Sequence, residues 1–290
     1  MIPPRDVTLA AAAYPIEPLS DPAAVARKLA DWVDRATGAD ILVFPEYAGI
    51  EAALSTGHDG DAASWCTKAA DHAGWYRDRL CELARLAGVY ILAGSTPAWH
   101  AGHLVNRAWF ISPQGQALWQ DKQVLTPWER QNTPLHPADH SCSFETDFGK
   151  IGVLICYDSE FPLLARRQDC AIHLVPSCTD SAAGDHRVAT GCRARALENQ
   201  AVTVHAPLLG AAAHCPLVDE NHGRAGIYAP CDTGWPEDGV LALGGRDQPG
   251  WTRVTLAAGR ISAARASAAV TIPAQWPETE QAVPHALSWL

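Results

Sequence analysis

Three residues of this 290-residue chain could act together on a carbonyl carbon: Glu46 at the end of ILVFPE, Lys122 after ALWQD, and Cys156 at the end of IGVLIC. A thiol titrates near a pKa of about 8.5 and is mostly protonated at neutral pH, so it needs a base or a nearby cation to become a nucleophile. A carboxylate whose pKa is raised by burial can take that proton, and an ammonium can hold the oxyanion that attack creates. No histidine is required. Each residue alone has a plainer reading: cysteine is among the most buried residue types, a glutamate after a strand is ordinarily a loop residue or a helix cap, and a loop lysine is ordinarily solvated. What makes the set coherent is a shared position. Each follows a strand-like run and stands beside a turn, where α/β folds gather their active groups.

The elements that must position these groups can be read in order. Val7–Ala13 and Ile41–Phe44 are apolar runs of strand length, and between them Asp21-Pro22 caps a helix carrying Val25, Leu29, Trp32 and Val33 at helical spacing until Gly38. A second helix spans residues 62–87 and stops at Gly88; the strand 89–93 follows. Residues 105–111 and 117–120 form a hairpin around Ser112-Pro113-Gln114-Gly115 that leads directly to Lys122. Beyond an irregular, proline-rich stretch (126–140) come strands at 142–145 and 151–155, a short helix at 161–168, a strand at 171–175, a helix at 187–200 and a strand at 201–205. Short β segments and Gly/Pro turns fill the chain to residue 269. Alternating strands and helices without an internal repeat or linker predict one α/β domain over residues 1–270, with 271–290 as a tail or arm.

Composition sets bounds on function. The net charge is −10, with 32 acidic and 22 basic residues and no basic run, which argues against nucleic acid or an anionic membrane as partner. No apolar run approaches the ~20 residues of a membrane span, and the amino terminus reads as the first strand of a cytoplasmic protein. Nine cysteines, an odd number with no CxxC pair, suit a reducing compartment and fit neither a disulfide framework nor a zinc site. Neither a metal nor an organic cofactor is expected.

The motifs LVFPEY with Glu46, DKQVLTPWE with Lys122 and Glu129, and GVLICYDSEFP with Cys156 resemble those of the nitrilase, or carbon–nitrogen hydrolase, superfamily. Their order agrees with it, as do the separations of 76 residues from Glu46 to Lys122 and 34 from Lys122 to Cys156. RARALENQAV (193–202) resembles the family's helix-to-strand segment after the cysteine. The resemblance implies a four-layer α-β-β-α sandwich that assembles as a homodimer or higher homo-oligomer and acts on a non-peptide carbon–nitrogen bond through a thioester. It implies Cys156 as nucleophile, Glu46 as general base, Lys122 with the Tyr157 N–H as oxyanion holder, and Glu129 as the second glutamate, placing substrate or lysine. Nitrilases proper follow the cysteine with Trp-Glu, whereas Tyr157-Asp158 is the pattern of the amidase and carbamoylase branches. A small-molecule amide is therefore the expected substrate. An N-carbamoyl compound, or an inactive binding or assembly protein on the same fold, are the alternatives.

Other conspicuous residues have structural readings first. Trp32 and Trp65 lie on helix stripes and read as core, and His173 in AIHLV as a satisfied core group. Trp128 and Tyr47 adjoin the catalytic candidates and are candidate pocket walls. Asp180 and His186, in SCTDSAAGDHR after a strand, are candidate substrate contacts on a loop.

Overall fold

A computed structural model describes residues 5–281, 283 and 286. In chain order its elements are β1 (Val7–Pro15), α1 (Pro22–Arg35), β2 (Ile41–Val43), α2 (Ile50–Leu54), α3 (Ala62–Ala87), β3 (Tyr90–His100), β4 (His103–Ile111), β5 (Ala117–Asp121), α4 (Pro127–Asn132), β6 (Ser143–Thr146) and β7 (Gly149–Val153). A short 3-10 helix (Cys156–Glu160) follows, then α5 (Pro162–Gln168), β8 (Ile172–Ser177), α6 (Ala182–Asn199), β9 (Val202–Leu209), β10 (Gly226–Tyr228), β11 (Val240–Leu243), β12 (Gly250–Leu256), α7 (Arg260–Ala266) and α8 (Ile272–Glu280).

Among the described residues the strands form two six-stranded arrays, β12-β1-β2-β3-β4-β5 and β6-β7-β8-β9-β10-β11, joined where the end of β1 pairs with the end of β9 at Tyr14–Leu208 and Pro15–Leu209. Both arrays repeat one pattern of neighbours: antiparallel, parallel, parallel, antiparallel, antiparallel. The repeat is topological and leaves no trace in the sequence, because side chains on equivalent strands need only be apolar and of compatible size.

Alternation along the strands sorts the layers. Leu9, Ala11 and Ala13 of β1 and Ile41 and Val43 of β2 join Ile151, Val153, Ile172 and Leu174 in the core between the two sheets. Their neighbours Ala10, Ala12, Tyr14, Leu42 and Phe44 pack with Leu29, Trp32, Trp65 and Leu80 of α1 and α3. On the far side α6 covers the second sheet, with Val188, Cys192 and Ala196 inward. The result is the four-layer α-β-β-α sandwich. The parallel strands at its centre are buried on both faces, which is why they read as unbroken apolar runs. Trp32 and Trp65 are core, as their spacing indicates. Among the described residues no helix is long and apolar enough to cross a membrane.

Three expectations are corrected. The stretch 126–140 contains α4, a single capped turn and a half, and α6 begins at Ala182, so most of the anticipated loop 177–187 is helix. His173 is buried, but neither ring nitrogen has a partner among the described residues; burial pushes its pKa down to about 3, which keeps the imidazole neutral. The stretch expected as a tail or arm is not among them: its described part carries the helix α8, whose Trp276 and Glu280 meet Arg166.

One glycine holds the site's framework. Gly94 on β3 has φ of +67°, and a Cβ there would stand 1.9 Å from the Pro45 carbonyl oxygen, directly before Glu46. Gly94→Ala is expected to lower stability by roughly 2–4 kcal/mol, from left-handed strain plus the clash. Urea denaturation measures this, and a midpoint unchanged from the parent protein would contradict it.

Candidate active site

The ends of β2, β5, β7 and β8 open into one cavity of about 1000 Å³, lined by Glu46, Lys122, Glu129 and Cys156 among others. Ile41–Val43 delivers Pro45-Glu46, and Glu46 is almost fully buried. Its Oε1 accepts hydrogen bonds from Lys122 Nζ at 2.8 Å and Asn106 Nδ2 at 2.9 Å, and its Oε2 accepts from the Cys178 N–H at 3.0 Å. Every accessible face of this carboxylate apart from the cavity side is therefore held. Burial raises its pKa, opposed by the Lys122 ammonium and assisted by the Glu129 carboxylate.

Lys122 is as buried as Glu46. Its Nζ lies 2.8 Å from Glu46 Oε1 and from both oxygens of Glu129. Although burial disfavours the charged ammonium, the two carboxylates hold its pKa well above the usual lysine value. Glu129 is itself fixed twice over. Thr126 and Glu129 make a reciprocal capping box at the start of α4, with the Thr126 N–H donating to Glu129 Oε2 at 2.8 Å, and Tyr47 Oη donates to Glu129 Oε1 at 2.7 Å. Lys122 and these donors bring the Glu129 pKa below its ordinary value against the opposing effect of burial.

Cys156 begins the 3-10 helix with φ of +48°. A non-glycine residue held in this sparsely populated region is a common mark of a functional turn. The conformation turns Sγ out of the strand line toward the cavity, 3.7 Å from the Cys178 carbonyl oxygen. Burial and the neighbouring Glu46 carboxylate push the thiol pKa well up, against the pull of Lys122. The resting sulfur is thus a protonated thiol beside a carboxylate, an arrangement for proton transfer during attack and not for a standing thiolate.

Asp158 ties the Cys156 turn to the loop after Lys122. Its carboxylate accepts N–H bonds from Val124 at 2.8 Å, Ile155 at 3.1 Å and Gln123 at 3.3 Å. Burial raises its pKa to about 7, with Lys122 and the three N–H groups opposing. Asp158→Asn places an amide donor against at least one of those N–H groups. We expect kcat to fall roughly 10- to 100-fold from misplacement of the turn, with KM within about threefold and a stability loss of roughly 1–3 kcal/mol. Steady-state kinetics alongside thermal melting tests this, and an unaltered kcat would exclude a positioning role for Asp158.

Of the sequence candidates, Glu46, Tyr47, Lys122, Trp128, Glu129, Cys156, Tyr157 and Asp180 all line the cavity. Tyr47 turns its hydroxyl to Glu129, and Trp128 stands at the rim, 44% exposed. His186 is not in the lining. On α6 the residues facing the cavity are Gly184, Arg187 and Val188, and helical spacing turns His186 away, where Nε2 meets Arg246 at 3.2 Å. Four contributors escaped sequence reasoning: Asn106, the Cys178 backbone, Asp158 as a clamp, and Arg187, which pairs with Glu160 at 2.5 Å. Asn106 did leave a signal, a polar residue inside the apolar strand LVNRAWFI.

A sequence profile of the carbon–nitrogen hydrolase family matches residues 8–238. The probable hydrolase YhcX of Bacillus subtilis (strain 168) is 34% identical over 169 residues, 57% of this chain and 33% of that protein. The omega-amidase NIT2 of Xenopus tropicalis is 31% identical over 134 residues, 42% of this chain and 49% of that protein. The matched stretches thus span between a third and a half of the length of these two relatives. Among solved structures, Saccharomyces cerevisiae Nit3, of the nitrilase superfamily, superposes with TM-score 0.70 at 18% identity, covering 92% of this chain and 96% of that one. An amidase from Nesterenkonia sp. AN1, in a glutamate-to-glutamine variant carrying the acetamide moiety of fluoroacetamide on its active-site cysteine, gives TM-score 0.70 at 19% identity, covering 95% of each chain.

Proposed function

The chain belongs to the carbon–nitrogen hydrolase family, and from that premise we propose that it hydrolyses a small amide through a thioester on Cys156. The observation that carries this reading is the convergence of the Cys156 thiol, the Glu46 carboxylate and the Lys122 ammonium on one cavity. The Nesterenkonia amidase, covalently modified at its cysteine, and the omega-amidase relatives support amide chemistry within the family.

The reaction balances on these groups alone. The amide carbonyl enters above Sγ. The thiol proton passes to Glu46 as sulfur attacks the carbonyl carbon, and the oxyanion forms beside Lys122 Nζ and the Tyr157 N–H. In the resting site Lys122 is hydrogen-bonded to Glu46 at 2.8 Å. Protonating Glu46 removes the negative charge holding that side of the ammonium, so the charge of Lys122 is released toward the oxyanion as the oxyanion appears. Glu46 then gives its proton to the departing nitrogen, the carbon–nitrogen bond breaks, and ammonia or an amine leaves a thioester. Water loses a proton to Glu46, attacks the thioester carbon, and the acid departs as sulfur regains its proton. Glu129 keeps Lys122 charged and in place throughout.

Ammonia release across simple amides and N-carbamoyl compounds tests the proposal. The expected result is ammonia from at least one simple amide without carbon dioxide. Carbon dioxide formed together with ammonia marks an N-carbamoyl amidohydrolase. Failure of every compound to yield ammonia or an amine, with Cys156 no more reactive toward iodoacetamide than the other eight cysteines, overturns the reading in favour of a binding protein.

A further inference from the structure

The charges around the cavity constrain what can enter it. Among its described lining residues the cationic side chains are Lys122 and Arg187, against the carboxylates Glu46, Asp61, Glu129, Glu160, Asp180, Asp219 and Glu220. Both cations are already matched: Lys122 lies 2.8 Å from Glu46 and from Glu129, and Arg187 lies 2.5 Å from Glu160. A substrate carboxylate therefore meets no unpaired cation, and burying one without a partner is costly.

The remaining carboxylates differ in what balances them. Asp61 caps α3, its Oδ1 accepting from the Ser64 N–H at 2.9 Å, so its charge offsets the positive end of a 26-residue helix. Glu220 meets His222 Nε2 at 3.2 Å. Asp180 stands one residue before Ser181, the N-cap of α6, and the helix end balances part of its charge. Asp219 has neither a helix start beside it nor a hydrogen-bond partner for its carboxylate among the described residues. At the same rim the half-exposed face of Trp128 offers a surface on which a cation can rest.

Building on the amide-hydrolase reading, we propose that this cavity selects amides bearing a cationic group, with Asp219 and Asp180 as the specificity-determining residues at its mouth. Cys156 attacks the amide carbonyl in the depth of the cavity while the ammonium at the other end of the same molecule faces the two aspartates. A neutral amide is accepted less well, and a carboxylate-terminated one is repelled.

Three amides of one chain length separate these cases: 5-aminopentanamide, pentanamide and 4-carbamoylbutanoate. Two readouts are taken, protection of Cys156 against iodoacetamide and ammonia release. The cationic amide is expected to protect at roughly tenfold lower concentration than the anionic one, a preference that shrinks as salt screens the rim charges. Asp219→Asn is expected to reduce that preference by roughly threefold, Asp180→Asn by less, and the double substitution by the most. Equal or better protection by 4-carbamoylbutanoate overturns the proposal, as does a preference that survives the double substitution. Protection by 5-aminopentanamide with no ammonia from any of the three sinks hydrolysis while leaving the charge selection standing, so the two readings fail separately.

Discussion

Cys156→Ala is expected to abolish ammonia release, by a factor of at least about 10⁴ once a working amide is in hand, because no other group in the cavity can form the thioester. Cys178, the other cavity cysteine, cannot take over. Its S–H is directed to Asn221 Oδ1 at 2.9 Å and toward the Leu217 carbonyl, and burial with the nearby Glu46 carboxylate pushes its pKa well up. The fold is expected to tolerate the change. Alanine keeps the Cβ of the turn, and what is lost is a long S–H donation to the Cys178 carbonyl at 3.7 Å. The left-handed backbone at φ +48° is equally awkward for both residues. The expected melting temperature therefore lies within a few degrees of the parent, corresponding to roughly 1 kcal/mol. Turnover retained by Cys156→Ala, measured on protein whose melting shows it folded, would dismiss the thioester route. Mass spectrometry gives the companion result: an iodoacetamide adduct at residue 156 in the parent and none there in the variant.

The set around Cys156 was legible in the sequence because each member follows a strong local signal. Ile41–Phe44 and Ile151–Ile155 are unbroken apolar runs bounded by turn residues, the pattern of a strand buried on both faces. Asp21-Pro22 and Gly88 marked helix ends through single-residue physics: the Asp21 carboxylate accepts from the Ala24 N–H at 2.8 Å, and Gly88 takes the left-handed φ of +68°. Short elements were lost for the opposite reason. α4 spans six residues, too few for a periodic stripe, although Thr126-Pro127-Trp128-Glu129 carries the capping-box signature that creates it. His186 was misplaced because a loop lets any residue reach a pocket, whereas a helix beginning at Ala182 presents only those on one face. The halving of the β structure into two sheets of equal topology rests on pairings such as β1 with β12, far apart in sequence, which no local window contains.

The network that escaped the sequence also explains how the candidate catalytic set is held in register. Glu46 is held from β4 by Asn106 and from the end of β8 by the Cys178 N–H, while Asp158 links the Cys156 turn to the loop just beyond Lys122. The groups that could be named from their types are thus fixed by groups whose importance lies in backbone geometry. A backbone N–H has the same chemistry at every residue, so its use at Cys178, Val124 and Ile155 depends on where the chain passes and leaves no mark on residue type.

Glu46→Gln is expected to cut kcat by about 10³- to 10⁵-fold, the size of a lost general base that serves both halves of the reaction. The amide cannot accept the thiol proton, and it also disturbs the hydrogen bonds. The carboxylate takes Lys122 and Asn106 on one oxygen and the Cys178 N–H on the other. A glutamine satisfies one side with its carbonyl and turns its NH₂ toward a donor on the other, at a cost of roughly 1–3 kcal/mol. The pH dependence separates these effects. Burial raises the Glu46 pKa, and the base works only when deprotonated, so kcat/KM of the parent should climb with pH through a limb above the ordinary carboxylate range. Glu46→Gln removes that limb and leaves the residual rate flat there. Loss of a negative charge beside Lys122 has a further consequence. It lowers the thiol pKa of Cys156, which the Glu46 carboxylate helps to raise, so alkylation of Cys156 in the variant should begin at lower pH even as turnover collapses. Slower catalysis combined with an earlier onset of alkylation is what a base produces when it is lost. A merely structural glutamate lowers both together, and that outcome would return Glu46 to the framework.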